Sequence, residues 1–192
     1  MRKEVEFGRC LKKEDELREI EWIVLDEDSD GNALLLCKDC IALMQYEYRE
    51  NRNKDPKWEN CVVRLWLNNY FLNNWFTVRE KEKMLPIPVK TPDGAQLNDK
   101  VILLNAEEVE RFLPEEKDRR AKPTPFAKKI SAEKPYTKNG FCTWFLRDPS
   151  ELFDENYTGV DVDGKIDLVG GDFYLSGSHG IRPVIKVNLS NL

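Results

Sequence analysis

The segment CVVRLWLNNYFLNNWFT, residues 61–77, constrains the fold more than any other stretch of the chain. Val62, Trp66 and Tyr70 recur at helical spacing, and so do Val63, Leu67, Phe71 and Trp75. A stripe this wide belongs to a largely buried helix, with Trp66 and Trp75 in the core. Shorter helices follow. Thr77 with Glu80 forms a capping box that opens VREKEKML, and Asn105 with Glu108 forms another that opens AEEVERFL. Thr124 reads as an N-cap with Pro125 in the first helical position of PTPFAKKI. Pro86, Pro88 and Pro114 stop helices. TPDGAQLNDK (91–100) reads as a loop, and EEKDRRAK as a solvated charged segment.

The two ends have a different texture. EIEWIVLDEDSDGNALLLCKD (19–39) reads as a β-hairpin whose turn uses Gly31. Residues 40–60 turn polar and irregular after Tyr48, which implies a long surface loop with Trp58 as an exposed ring. KVILLN (100–105) is a short strand. After Pro135 come a strand, GFCTWFLRDP (140–149), and a hairpin, TGVDVDGKIDLV, around a type I′ turn at Asp163-Gly164. A Gly-rich stretch and a last strand, GGDFYLSGSHGIRPVIKVNL, close the chain. No internal repeat or low-complexity tract is evident. The expectation is one α+β domain over 1–192, in which N- and C-terminal strands meet. Residues 1–18 are an N-terminal strand or extension, 19–135 a strand–helix part, and 136–192 a loop-rich strand part.

Composition narrows the partners. The chain has 192 residues, 41% hydrophobic and 34% charged, with formal net charge −5. A chain of this length buries roughly 70% of its unfolded surface without needing disulfides or metal. The acidic balance argues against nucleic acid, which demands a concentrated basic face. No apolar run reaches the roughly 20 residues of a membrane helix, and the charged N-terminus is unlike a signal peptide. Five scattered cysteines, Cys10, Cys37, Cys40, Cys61 and Cys142, suggest reduced thiols and a cytoplasmic location.

The motifs with chemical potential are few. Cys37 and Cys40 form a lone CxxC without the second pair a zinc site needs. The sole histidine, His179, lies in a Gly-rich loop, and no GxSxG elbow accompanies it. DVDGKID (161–167) resembles a calcium loop, but position twelve from Asp161 is Asp172 rather than glutamate. No metal and no cofactor are expected. Arg147 and Arg182 each sit behind apolar strand residues. Arginine is rarely buried unpaired, so both should be structural, bound to carboxylates or backbone carbonyls. Asp148, Asp161, Asp163, Asp167 and Asp172 are the nearby acids.

Four ordered segments carry a resemblance. WENCVVRLWLNNYFLNNWFTVREKEKM, DKVILLNAEEVERFLPEEKDRRAKPTPFAKK, TWFLRDP and GIRPVIKVNL resemble, in order from about Glu19 to Leu189, the motifs of a bacterial family of unknown function. In that family TWFLRDP corresponds to W-W-L-R-S-P and GIRPVIKVNL to G-V-R-P-A-L-x-I-N-L, so Asp148 stands where serine is common. The closing pattern is also similar to C-type-lectin-like domains, the formylglycine-generating enzyme group and the variable proteins of diversity-generating retroelements. That resemblance implies paired terminal strands, central helices and a loop-rich C-terminal half that displays the site. Only Cys142 lies in the C-terminal half, so no catalytic cysteine pair carries over.

Three functions follow as expectations. The first is a non-catalytic lectin-like binding or interaction module for a glycan or protein, recognising it with loops from 136 to 180. The second is a small enzyme using His179 or Cys142. The third is a structural domain of a larger assembly. The ligand candidates are Tyr157, Asp172, Tyr174, Ser178 and His179, with Trp58. Arg147, Arg182, Trp144 and Trp66 are read as structural.

Overall fold

A computed structural model describes residues 2–13, 16–47, 57–91, 94–131, 136–150, 156–172 and 179–191. Four strands open it: β1 (Glu4–Lys13), β2 (Glu16–Glu27), β3 (Asn32–Cys37) and β4 (Ala42–Met44). A 3-10 turn at Trp58–Asn60 leads into a continuous helical stretch. Its parts are α1 (Val62–Leu65), a π-helical segment (Trp66–Phe71) and α2 (Leu72–Asn74). After α3 (Val78–Lys83) come β5 (Met84–Leu85), β6 (Ile87–Lys90), β7 (Gln96–Asp99) and β8 (Val101–Ile102). Then follow α4 (Ala106–Phe112), α5 (Glu116–Arg119) and α6 (Pro125–Ile130). The last third holds β9 (Thr137–Lys138), β10 (Phe141–Cys142), β11 (Trp144–Pro149), β12 (Asn156–Val160), β13 (Ile166–Asp172), β14 (His179–Ile181) and β15 (Val184–Asn188).

The architecture is α+β and rich in sheet. One sheet runs β1-β2-β3-β15-β5, with β8 also on β15. The hairpin read at 19–39 is β2 and β3, and β15 lies antiparallel to β3 from Val184–Leu36 to Asn188–Asn32. N-terminal and C-terminal strands therefore share a sheet. The second sheet runs β13-β12-β11-β14-β4, with β11 and β14 parallel at Trp144–Gly180.

Two connections cross between these sheets: β3 to β4 through residues 38–41, and β14 to β15 through Arg182-Pro183. The crossings lie against each other. Cys37 N–H donates to Pro183 O at 2.9 Å, and Ile41 N–H donates to Ile181 O at 2.9 Å. A corner takes carbonyls out of the regular ladder, and each buried one needs another donor. Arg182, 1% exposed, supplies it. Its Nε donates to Cys37 O at 2.8 Å and its NH1 to Arg119 O at 3.0 Å, and its guanidinium lies 5.1 Å from the Trp144 ring centroid. Trp144 Nε1 donates to the same Arg119 oxygen at 3.0 Å. The 115–122 segment is therefore more than a solvated charged stretch, because its backbone closes this core. The expected partnering of Arg182 holds, with carbonyls as the partners.

The buried helix carries a signal the sequence reading passed over. Residues 67–76 read LNNYF-LNNWF, a five-residue repeat, and the π-helical segment begins beside it. A π turn closes at i+5 instead of i+4. Val63, Leu67, Phe71 and Trp75 form the buried column at four-residue steps, while Tyr70 is 53% exposed and Trp66 only half-buried. Four residues overshoot an α turn of about 3.6 and fall short of the wider π turn, so mixing the two keeps the column straight. Asparagine amides satisfy the loosened carbonyls: Asn69 donates to Leu65 O, Asn73 to Asn69 O and Asn74 to Tyr70 O.

Other readings change locally. β6 and β7 pair antiparallel from Ile87–Asp99 to Lys90–Gln96, so part of the loop expected over 91–100 is strand. The strand read at 140–149 divides into β10 and β11. The described residues of the last third are mostly strand. The hairpin at Asp163-Gly164 exists, but only Gly164 has positive φ, whereas a type I′ turn needs two such residues. Asp161 replaces that turn, its carboxylate accepting from Asp163 N–H and Lys165 N–H. Gly164 is also obligatory for packing, since a Cβ there would lie 1.9 Å from Glu116 O.

Arg182→Ala removes the charged donor from two carbonyls, leaving Cys37 O without its side-chain partner and Arg119 O with Trp144 Nε1 alone. Hydrogen bonds to a charged group contribute about 1.5–3 kcal/mol each, so a loss of about 3 kcal/mol or more is expected in urea unfolding. Arg182→Lys should recover only a small part of it, because one ammonium cannot span both carbonyls with the guanidinium's planar fork.

Candidate functional site

Of the loop candidates, the structure describes the side chains of Tyr157, His179 and Trp58. Tyr157 is fully buried, its ring stacked on Tyr46 with centroids 3.4 Å apart. As an inner-face residue of β12 it is a core side chain, a correction to its reading as a ligand contact. The His179 ring stacks on Phe145 at 4.6 Å. The cavity between Tyr157 and His179 measures about 20 Å³, enough for a water molecule. Asp172 ends β13, and its side chain is outside the described residues, as are Tyr174 and Ser178. Trp58 is 5% exposed, not an open ring. Its Nε1 donates to Asp99 Oδ2 at 3.0 Å, and Arg64 chelates the same carboxylate at 2.8 and 2.7 Å, so a polar anchor pulls the indole inward.

The cysteines are sealed too. All five are buried and unpaired in disulfides. Cys40 and Cys142 thiols touch at 3.7 Å, yet their backbones flank opposite sides of the 121–123 segment. Burial pushes the Cys37 and Cys61 thiols up to about 12, and raises Cys40 well above its usual value. Nucleophilic use of Cys142 would need access that its complete burial withholds.

An open concavity lies at the far end of β11. A cleft of about 440 Å³ is bounded by Asn105, Ala106 and Glu107 at the start of α4, by Asp148 and Pro149, and by Thr158 and Leu168. Each wall has a local cause. The Asn105/Glu108 capping box sets the start of α4: Asn105 Oδ1 accepts from Glu108 N–H at 2.7 Å, and the Glu108 carboxylate accepts from Asn105 N–H at 3.0 Å. The same carboxylate takes Arg147 in a bidentate pair, and Arg147 also donates to Leu103 O at 2.8 Å. Arg147 is thus paired, as expected, though with Glu108 and not with a neighbouring aspartate. Leu168, 55% exposed, is offered to the cleft by a bulge. Between the pairs Tyr157–Gly171 and Gly159–Asp167, three residues of β13 face one of β12, and Ser150 Oγ and Asn156 Nδ2 satisfy the freed carbonyls of Leu168 and Val169.

Asp148 is the electrostatic centre of this cleft. Its Oδ2 accepts from Ala106 N–H at 2.9 Å, and its Oδ1 has no hydrogen bond among the described residues. Desolvation is the largest influence and raises its pKa above the usual 3.8; Glu108 and Glu107 push the same way, while the Ala106 N–H and Arg147 oppose. A half-buried carboxylate beside two others is a site of negative potential that a cation would relieve. Sequence reading considered Asp148 only as a partner for an arginine; its departure from the resembling serine motif was the available signal.

A family model described as Domain of unknown function (DUF6273) matches residues 30–189. Neither a curated protein nor a solved structure matches the chain. Among the described residues no helix is long and apolar enough to cross a membrane.

Two outcomes test this geometry. Native protein at pH 8 should resist iodoacetamide at all five cysteines and react at all five once unfolded, as counted by intact mass. Asp148→Asn should raise the melting temperature at pH 7. A raised folded-state pKa means that the native state binds the proton more tightly than the unfolded chain, so the carboxylate costs stability above its folded pKa. The advantage of the asparagine variant should shrink as pH falls and vanish below about 3.8, the ordinary aspartate value.

Proposed function

We propose that this chain, which belongs to the DUF6273 family of domains of unknown function, is a non-catalytic binding module whose ligand presents a cationic group to Asp148. One observation carries the reading: the Asp148 carboxylate is held partly desolvated next to Glu107 and Glu108, with one oxygen left for a donor from outside the protein. A residue that costs stability in an open cleft is favoured for what it binds. The cleft has the volume of a small-molecule or side-chain site, and Leu168, Pro149 and Ala106 supply apolar walls around the carboxylates. An alkylammonium or guanidinium on an aliphatic stem, free or as a peptide side chain, meets both requirements.

The lectin-like scaffold is part of the same proposal. Its support is the sheet shared by β3 and β15 and the position of the cleft on the C-terminal half. The enzyme reading draws less support, since Cys142 is sealed in the core and His179 is stacked on Phe145.

Titration calorimetry with n-hexylamine should give saturable binding at pH 7. Asp148→Asn should weaken it by about tenfold or more, equivalent to about 1.4 kcal/mol. Acidification should weaken parent binding as Asp148 protonates, beginning at a pH above the ordinary aspartate range because its pKa is raised. Amine binding untouched by Asp148→Asn, or a glycan bound where amines are not, would overturn the assignment.

A further inference from the structure

Asp148 and Pro149 also form a wall of a second cleft, of about 220 Å³, on their other side. Its cations outnumber its one carboxylate. Lys57 and Lys90 stand at it, with Trp58 and Val89 as apolar lining. The Trp58 ring is fixed by its Nε1 bond to Asp99, itself chelated by Arg64, so this wall is rigid. Arg147 borders the cleft but is committed to Glu108 and Leu103 O. Lys90 is different: it is exposed at the end of β6, and no carboxylate among the described residues lies within ion-pairing distance of it. The protein thus sets an acidic cleft and a lysine-bearing cleft back to back, with Asp148 and Pro149 in the wall of both.

We infer that the ligand is bipolar: an aliphatic chain with an ammonium at the Asp148 cleft and a carboxylate that reaches over Pro149 to Lys90. This rests on the Asp148 reading and adds the second charge and its place. Both subsites pair apolar lining with charge, Asp148 and Glu107 at one and Lys57 and Lys90 at the other, so a molecule carrying both charges gains two favourable contacts, whereas a purely cationic one leaves Lys90 unanswered. Linking two weak contacts on one chain raises affinity without any new surface, provided the chain spans the sites. Trp58 and Val89 add apolar lining at the lysine end.

The experiment compares ω-amino acids, from 4-aminobutanoate to 8-aminooctanoate, with alkylamines of matching length, using calorimetry on the full chain. At least one amino acid should bind about tenfold more tightly than its matching amine. Lys90→Gln should erase that advantage and leave amine binding unchanged. Lys90 is exposed, so the variant should fold, and an unchanged melt verifies this. If amines bind in an Asp148-dependent manner but no amino acid binds better, the second charge is refuted and the Asp148 cleft stands. An advantage that persists in Lys90→Gln also refutes it. If neither series binds, both readings fall.

Discussion

Two chain crossings between sheets, pressed together, are what the rest of this structure depends on. The crossing at 182–183 brings the buried Arg182 side chain against carbonyls of two other segments. Arg182 answers Cys37 O and Arg119 O with one planar group and lays its face along Trp144. The N-terminal hairpin, the 113–124 connector and the last two strands are thereby joined at one side chain. Among the described residues no carboxylate lies within ion-pairing distance of Arg182, and desolvation lowers its pKa. The cation is held by carbonyl dipoles and an aromatic face instead. Close packing continues around it: a Cβ on Gly180 would lie 2.4 Å from Cys40 Sγ, so only glycine lets β14 pass between β11 and β4.

A second arginine does comparable work for the candidate site. Glu108 closes the capping box of α4 and holds Arg147 with the same carboxylate. Arg147 N–H also donates to Leu104 O, which fixes the end of β11 beside the start of α4. Asp148 follows in the chain and therefore has little freedom. It can cap Ala106 with one oxygen and face the cleft with the other. Helix capping, ion pairing and site placement share one short stretch, so disturbing Glu108 would affect all three.

The helix over residues 62–74 illustrates how a core requirement shapes backbone. A straight buried column of Val63, Leu67, Phe71 and Trp75 is incompatible with a pure α-helix of this length, and the π-helical segment reconciles them. Asn68 then ties the helix to β8. Its amide donates to Val101 O, and its carbonyl accepts from Lys100 and Val101 N–H. That contact positions the chain that leads on through Leu103 and Leu104 to Asn105 and the cleft.

The sequence by itself determined the local elements. Capping at Thr77, Asn105 and Thr124, the hairpin around Gly31, the buried helix and the pairing of both arginines depend on neighbours within a few residues or on the cost of burying charge, and these are written into composition and spacing. It did not determine partners. Glu108 lies 39 residues from Arg147, and Arg119 lies 63 from Arg182, so no local pattern could choose them over the nearer aspartates. Trp58 and Tyr157 followed the same rule. Each sits in a stretch that reads as polar or loop-like, and each is drawn inside by a distant group, Asp99 for one and Tyr46 for the other. Only tertiary structure decided where a concave surface would remain, because a cleft is the space left between elements after they pack. The two clefts exist because β11 ends where α4 begins and β6 passes beside it, an adjacency produced by folding and visible in no single segment.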